Sequence, residues 1–484
     1  MKKVLNNSSD MGKLIILIGL ISIVPLFIIA FYPEEQIYAS AFYIPALVSI
    51  GLGGLICLID RIKKNSIVRN YKTIVLSAWL YAILAGALPF VIANKLGIVQ
   101  SIFESVSGWT TTGLSVMDVS KTPQIFLFHR SFMQYCGGIG FVLMMVAFVR
   151  NKNSAALYST EGHLDQIEAS LGKTAKAIFG IYLFLFFAGT VLYNIAGMPI
   201  FDSVIHAMSA LSTGGFSNKV NSIGEYNSIY IEMITIALMI IGTSNFALII
   251  LFVKGKIKQA FKVSELRFMA LLLAFFIPIV TLSLVFGICM SAGEAIRHSI
   301  FNVVSAMSTT GFSTVSYSNW SGLGIGVLII LMIIGGGSGS TAGGMKLSRV
   351  YIALKALFSN FKNRITGNNR VEVLHITKPQ GKEIINDKMK SESLGYIGIY
   401  FIVFLIGSLL VSVTANCNLT DACFEFASSL GTVGLSLGIT NPSTDIATLI
   451  IEIIGMLLGR LEIYLVFAGA LGIFKKKSVN IKSF

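Results

Sequence analysis

Residues Ser107 to Ser115 read SGWTTTGLS, and they fall between two long apolar runs where a membrane helix would be written in Leu and Ile. Nearly the same phrase returns three times: SALSTGGFS at Ser209–Ser217, SAMSTTGFS at Ser305–Ser313 and SSLGTVGLS at Ser428–Ser436. All four fit S-x-x-x-T-x-G-[LF]-S without a gap. Their glycines, Gly113, Gly215, Gly311 and Gly434, stand 102, 96 and 123 residues apart. A lone Gly-rich loop is a weak signal, whereas self-similarity at a near-constant period marks a chain built from repeated units.

Each phrase has the same neighbours. An apolar span comes first, then a short amphipathic stretch, the phrase, a polar connection and a second span. The stretches QSIFESVSG, FDSVIHAMS, IRHSIFNVVS and TDACFEFASS are too short to cross a bilayer, and Asp202 and Asp421 are expected to be helix N-caps. The unit is therefore span, half-helix, re-entrant loop, span. Irregular backbone at membrane depth is tolerated only where it is buried in protein or lines a watery cavity. Four such loops around one axis make a pore. Their half-helices aim C-termini, the partial-negative end of the macrodipole, at its centre, which favours a cation.

Composition agrees. Of 484 residues, 54% are hydrophobic and 12% charged, against about a quarter charged in soluble domains. Apolar runs of about 20 residues, enough to span as helix, recur throughout. Spans are expected at Leu14–Phe31, Ala41–Ile59, Thr73–Ala93, Gln124–Val149, Ala175–Ala196, Ile229–Val253, Leu266–Cys289, Leu323–Phe358 (interrupted), Leu394–Ala415 and Ile446–Phe474. The first run is long for a signal peptide and reads as a retained helix.

A formal charge of +14 would suggest nucleic acid in a soluble protein. Here 31 of the 37 Lys and Arg fall in alternate connections, as cytoplasmic loops require. Both termini are expected inside, and no nucleic-acid partner is implied. The connection from Lys346 to Lys390 holds ten of these cations, and its stretch GNNRVEVLHITKPQGKEI reads as mobile. Its charge suits anionic membrane lipid. The five cysteines show no metal spacing and no CxxC, and Cys417 and Cys423 are expected as buried thiols.

The chemistry lies in the T-x-G core. A potassium filter replaces the ion's hydration shell with rings of backbone carbonyls, and glycine adopts the required backbone angles at little steric cost. The candidate filter residues are Thr111, Thr112 and Gly113; Thr213, Gly214 and Gly215; Thr309, Thr310 and Gly311; Thr432, Val433 and Gly434. No Asp or Glu lies inside a phrase, which disfavours a carboxylate-ring divalent site. Glu104 and Glu425, nine residues before their glycines, either concentrate cations or hydrogen-bond within the half-helix.

An enzyme is not indicated: no HExxH stands in the sequence. An organic-solute transporter also uses broken helices, but with inverted repeats rather than four direct copies.

The four phrases and their span–half-helix–span units resemble the TrkH/TrkG/KtrB superfamily of potassium transporters, from about Thr73 to the C-terminus. Two extra N-terminal spans make the TrkH/TrkG branch the nearer match. The resemblance implies an all-α polytopic protein of the bacterial plasma (inner) membrane. It would consist of an N-terminal helix pair (1–70) and pore units at 71–172, 173–262, 263–390 and 391–484. It implies uptake of potassium, with rubidium accepted, and no covalently bound cofactor. Serine at a filter glycine accompanies sodium permeation in this family, and all four glycines are present here; a sodium-permeable relative is the alternative.

The resemblance also implies a gate at Gly335, Gly336, Gly337, Ser338, Gly339, Ser340, Thr341, Ala342, Gly343 and Gly344, within GGGSGSTAGGMK. This stretch superficially resembles a P-loop, but Met345 stands where a Walker lysine would, and no strand precedes it. A helix-packing patch of small residues is its other reading. Arg460, an ionisable residue inside a span, would be an electrostatic barrier by that gate or the partner of Glu452 or Glu462. Arg130 resembles another family position, or else closes its helix end. Homodimers and a nucleotide-binding cytosolic ring are the implied partners.

Overall fold

The computed structural model describes residues 10–63, 71–140, 144, 171–366 and 373–474. The expected cytoplasmic charges near both termini, most of 141–170 and part of the Lys346–Lys390 connection lie outside them.

Helices α1 (Asp10–Ile23) and α2 (Ala39–Lys63) pair with each other and pack on α3 (Tyr71–Ile92). Four quasi-equivalent units follow. The first comprises α3, half-helix α4 (Ile98–Trp109) and α5 (Gln124–Ile139). In the second, α6 (Leu171–Ile195) and half-helix α7 (Ile200–Leu211) lead to α8 (Ile229–Thr243), α9 (Phe246–Val253) and the short α10 (Ile257–Ala260). The third has α11 (Ser264–Ile288), half-helix α12 (Ala292–Met307), α13 (Gly322–Ile334) and α14 (Leu347–Thr366). A hairpin of β1 (His375–Lys378) and β2 (Gly381–Ile384) joins it to the fourth: α15 (Asp387–Thr414), half-helix α16 (Leu419–Gly431), α17 (Ile446–Arg460) and α18 (Ile463–Phe474).

Among the described residues six helical spans are long and apolar enough to cross a membrane, the first being α1 with its 3-10 continuation to Ala30. They are the N-terminal pair and the first span of each unit. The second spans differ. Ile229–Val253, expected as one span, bends by 111° between α8 and α9, where Asn245 Oδ1 accepts the Ala247 N–H and starts a new helix. Ile446–Phe474 breaks between α17 and α18, with Glu462 at φ 61°. In Gln124–Val149 the helix stops at Gly140, at φ 87°, a backbone angle natural to glycine. Only the break in the third unit was legible in the sequence.

The half-helices fix the arrangement. Each packs on the first and second spans of its own unit and on the second span of the unit before it: α7 on α5, α12 on α8, α16 on α13, and α4 on α17. The last pairing closes the ring. Fully buried large side chains such as Trp79, Trp109, Phe103 and Tyr400 fill the interior, while Leu47, Phe184, Phe275 and Leu405 point outward, each more than half exposed. An apolar circumference of this kind is a lipid-facing surface.

Three smaller expectations are corrected. Asp202 and Asp421 sit in first turns and are not caps; Pro199 and Asn418 hold those positions. Asp202 instead accepts the Tyr226 hydroxyl at 2.8 Å and pairs with Lys219 at 3.3 Å. Cys417 and Cys423 are free but only half-buried. The stretch read as mobile contains the hairpin: Ile376 is buried against Ile352 and Ile385, and the Thr377 N–H donates to Ser264 Oγ at 2.9 Å.

Candidate functional site

The repeated phrase has one local structure, four times. The N–H after each threonine (Thr112, Gly214, Thr310, Val433) donates to the carbonyl of the serine that opens the phrase, at 2.8–3.0 Å. This bond runs across a C-terminal turn in which a left-handed residue ends the helix. That residue is the threonine: Thr111, Thr213, Thr309 and Thr432 have φ of 56°, 52°, 55° and 50°. A β-branched residue at positive φ is a genuine outlier. Two residues on, Gly113, Gly215, Gly311 and Gly434 also have positive φ, from 72° to 96°. The phrase-opening serine has a second task, since Ser107 and Ser428 Oγ accept the N–H of Gly113 and Gly434 at 3.0 and 2.9 Å.

The glycines show how the loops meet. A Cβ built on Gly113 would fall on the carbonyl oxygen of Gly214, and one on Gly215 on that of Thr310. One on Gly311 would fall on Val433 O, and one on Gly434 on Thr112 O and 3.0 Å from the Gly113 Cα. Each loop thus abuts the next in chain order, and the fourth returns to the first. The carbonyl preceding each filter-position glycine stands against the neighbouring loop, in one closed layer.

What holds the C-terminal end of each loop is the residue nine before the glycine. Glu104 accepts the Ser115 hydroxyl at 2.9 Å and the Val116 N–H at 3.2 Å. Glu425 accepts from Ser436 Oγ at 2.6 Å, Thr440 N at 2.8 Å and Leu437 N at 3.1 Å. In the second unit His206 Nε2 meets Ser217 Oγ at 3.0 Å. In the third, Asn302 Nδ2 donates to Thr314 Oγ1 at 3.0 Å and Asn302 Oδ1 accepts from Tyr317 at 2.6 Å. Both carboxylates are buried and engaged by their own loops. His206 and Asn302 were missed in the sequence, although the same offset in all four copies would have found them.

Arg130 does not close its helix end. Buried, it pairs with Glu104 at 2.9 Å, donates to Ser115 Oγ and to the Ser217 carbonyl, and lies 4.4 Å from the Phe216 ring centroid. It therefore ties the first loop to the second. Gln134, on α5, holds the second loop: its amide donates to the Gly214 carbonyl, and its oxygen accepts the Phe216 N–H. No sequence signal marked Gln134.

Residues 335–344 lie against the other end of these loops. Thr341 Oγ1 bonds to Thr213 Oγ1 at 3.1 Å and to the Leu211 and Gly242 carbonyls at 3.1 and 2.9 Å. The Gly343 N–H donates to Thr309 Oγ1 at 2.8 Å, and a Cβ on Gly343 would strike Thr432 Oγ1. Three of the four threonines are thus in direct reach of this loop. The loop also seats in the break of the second unit, with the Gly337 N–H on Thr243 O at 3.0 Å and the Phe246 N–H on Gly339 O at 3.1 Å. From the start of α11, Glu265 accepts the Ser338 N–H at 3.2 Å.

Glu452 takes the Thr440 hydroxyl and Glu462 pairs with Arg349 at 2.9 Å, while Arg460 reaches backbone carbonyls. Its guanidinium donates to the Thr341 carbonyl and to the Gly137 and Gly138 carbonyls at the end of α5. Lys346, expected in a cytoplasmic loop, reaches back to the Ala342 carbonyl. Both cations line a cavity of 630 Å3 beneath the loop.

The fold and this site define a class: a polytopic helical membrane protein in which one chain folds four re-entrant loops into a single ring, built to transport a cation and not to catalyse a reaction. The chain matches the TrkH family, described as cation transport proteins, over residues 41–471, and it belongs to that family. It is 31% identical to an uncharacterized cation transporter of Methanocaldococcus jannaschii over 94% of this chain and 92% of that one. It is also 31% identical to the Trk system potassium uptake protein TrkH of Halomonas elongata and to TrkG of Escherichia coli. Those alignments cover 94% of this chain, with 96% and 95% of the relatives. The crystal structure of the potassium transporter TrkH from Vibrio parahaemolyticus superposes with a TM-score of 0.82 at 26% identity, covering 94% of this chain and 96% of that one.

Proposed function

We propose that this protein takes up potassium, with rubidium as a surrogate, through a filter formed by Thr111–Gly113, Thr213–Gly215, Thr309–Gly311 and Thr432–Gly434. The observation that carries this reading is the closed ring in which each glycine abuts the carbonyl of the next loop. A closed layer of four carbonyls at the C-terminal ends of four half-helices offers a partial-negative, dehydrating site for a monovalent cation. The relatives named for potassium uptake support the choice of ion, and no glycine of the four is replaced, which disfavours the sodium-permeable alternative.

Residues 335–344 act as the gate, and Arg460 latches it. In the closed state Thr341 and Gly343 engage the filter threonines while the arginine holds the loop to α5. Opening requires the loop to leave these bonds. Division into the four pore units, at 71–172, 173–262, 263–390 and 391–484, follows from the same repeat. The face bearing the hairpin is cytoplasmic, in a plasma membrane, and is where a second copy and a nucleotide-binding ring would act on α14 and α18.

Tracer uptake by proteoliposomes, with potassium, rubidium and sodium in competition, tests the reading. Potassium and rubidium should enter and compete with each other, with little sodium. Equal sodium entry would replace this reading with its alternative.

A further inference from the structure

Away from the ring axis a cavity of 470 Å3 opens between the start of α11, the middle of α14 and the hairpin. Lys262, Arg267, Lys355, His375 and Lys382 line it, and among the described residues no carboxylate does. The hairpin's own Glu383 is taken by Lys378, at 2.7 Å. Lys355 is held in place, donating to the His375 carbonyl at 2.7 Å with its Nζ 5.1 Å from the Tyr351 ring centroid. The Arg267 stem is fixed by a bond from Nε to the Phe261 carbonyl at 2.8 Å.

A merely solvated basic loop scatters its cations. Here three elements are locked together so that their cations share one space. The Thr377 N–H binds Ser264 Oγ at 2.9 Å, Gln259 Nε2 binds the Pro379 carbonyl at 3.1 Å, and Ile376 is buried. Phe268 and Leu271 of α11 add apolar lining. Leu271 is 63% exposed, two turns into a membrane-spanning helix. Converging cations suit a phosphate, and cations beside apolar side chains at the level where a span enters the bilayer suit a phosphate that carries acyl chains.

We propose that this cavity binds the phosphate headgroup of an anionic phospholipid, whose acyl chains run along Leu271. The proposal adds a lipid site to the transport reading and rests on it only for the hairpin face being cytoplasmic. The site is one residue from the gate contact: Ser264 holds the hairpin, and the adjacent Glu265 holds Ser338. A headgroup that draws the hairpin and α11 together bears on that contact.

The test uses the full-length, delipidated protein and native mass spectrometry, with phosphatidylglycerol, phosphatidylcholine and inorganic phosphate as separate probes. The triple variant Lys262→Gln/Arg267→Gln/Lys382→Gln is compared with Lys256→Gln/Lys258→Gln/Lys388→Gln, which removes as many cations from the same face outside the cavity. Phosphatidylglycerol binding should weaken at least about tenfold in the first variant and hold in the second, and Lys262→Arg/Lys382→Arg should retain it. Phosphatidylcholine should bind weakly to all. Equal loss in both triple variants would mean diffuse charge and overturn the site. Inorganic phosphate binding as tightly as the lipid would overturn the choice of lipid. No flux is read, so failure here leaves the transport reading standing.

Discussion

At the scale of single residues, the four threonines are the most telling feature. Each sits at a left-handed angle that costs a β-branched residue about 1–3 kcal/mol, and the cost recurs in every copy. Strain repeated four times around a ring needs a common reason, and turning successive carbonyls towards one axis supplies it. Thr111 and Thr432 add buried Oγ1 atoms with no hydrogen-bond partner among the described residues. The glycines are constrained twice, by positive φ and by the neighbouring carbonyl. Gly113→Ser is therefore expected to displace Gly214 and raise sodium permeation. A perturbation of about 1.4 kcal/mol is worth tenfold in relative binding, which competitive tracer flux resolves; unchanged selectivity would remove Gly113 from the filter. Asn302→Ala should act on the support instead. It leaves the buried Tyr317 hydroxyl without its acceptor, a loss of about 1–3 kcal/mol, so thermal unfolding in detergent should shift downward.

At the scale of elements, the lesson concerns the second spans. Ten spans were readable from apolar runs, and the six helical spans match them closely. The breaks in the first, second and fourth units were not readable, because Ser244–Asn245, Gly140 and Leu461–Glu462 are ordinary residues in apolar surroundings. What bends the chain there is partner geometry, such as the Gly339 carbonyl capturing the Phe246 N–H. The phrase itself was legible because four copies expose a pattern that one would hide. The anchors nine residues before the glycines were half-legible: the glutamates stood out by charge, whereas His206 and Asn302 do the same task with unlike chemistry. Arg460 was legible as an intramembrane charge, but the backbone carbonyls it reaches are found by no side-chain pairing rule. Arg460→Ala should free the loop at Thr341 and raise potassium flux per molecule, measured at equal protein amount. A role in packing alone predicts a lower melting temperature with no gain in flux.

At the scale of the whole molecule, closure is the central point. The half-helices and the glycines independently give the same cyclic order, with the fourth unit returning to the first. One chain therefore encloses the path, and a homodimer would carry two paths side by side. Single protomers isolated in nanodiscs should still bind potassium in preference to sodium, as calorimetry would show; binding only in dimers would place the site between chains. The most direct measurement is anomalous scattering from crystals grown with rubidium. The account predicts a peak on the ring axis, coordinated by the carbonyls of Thr112, Gly214, Thr310 and Val433. A peak away from that axis, or bound by one unit alone, would contradict it.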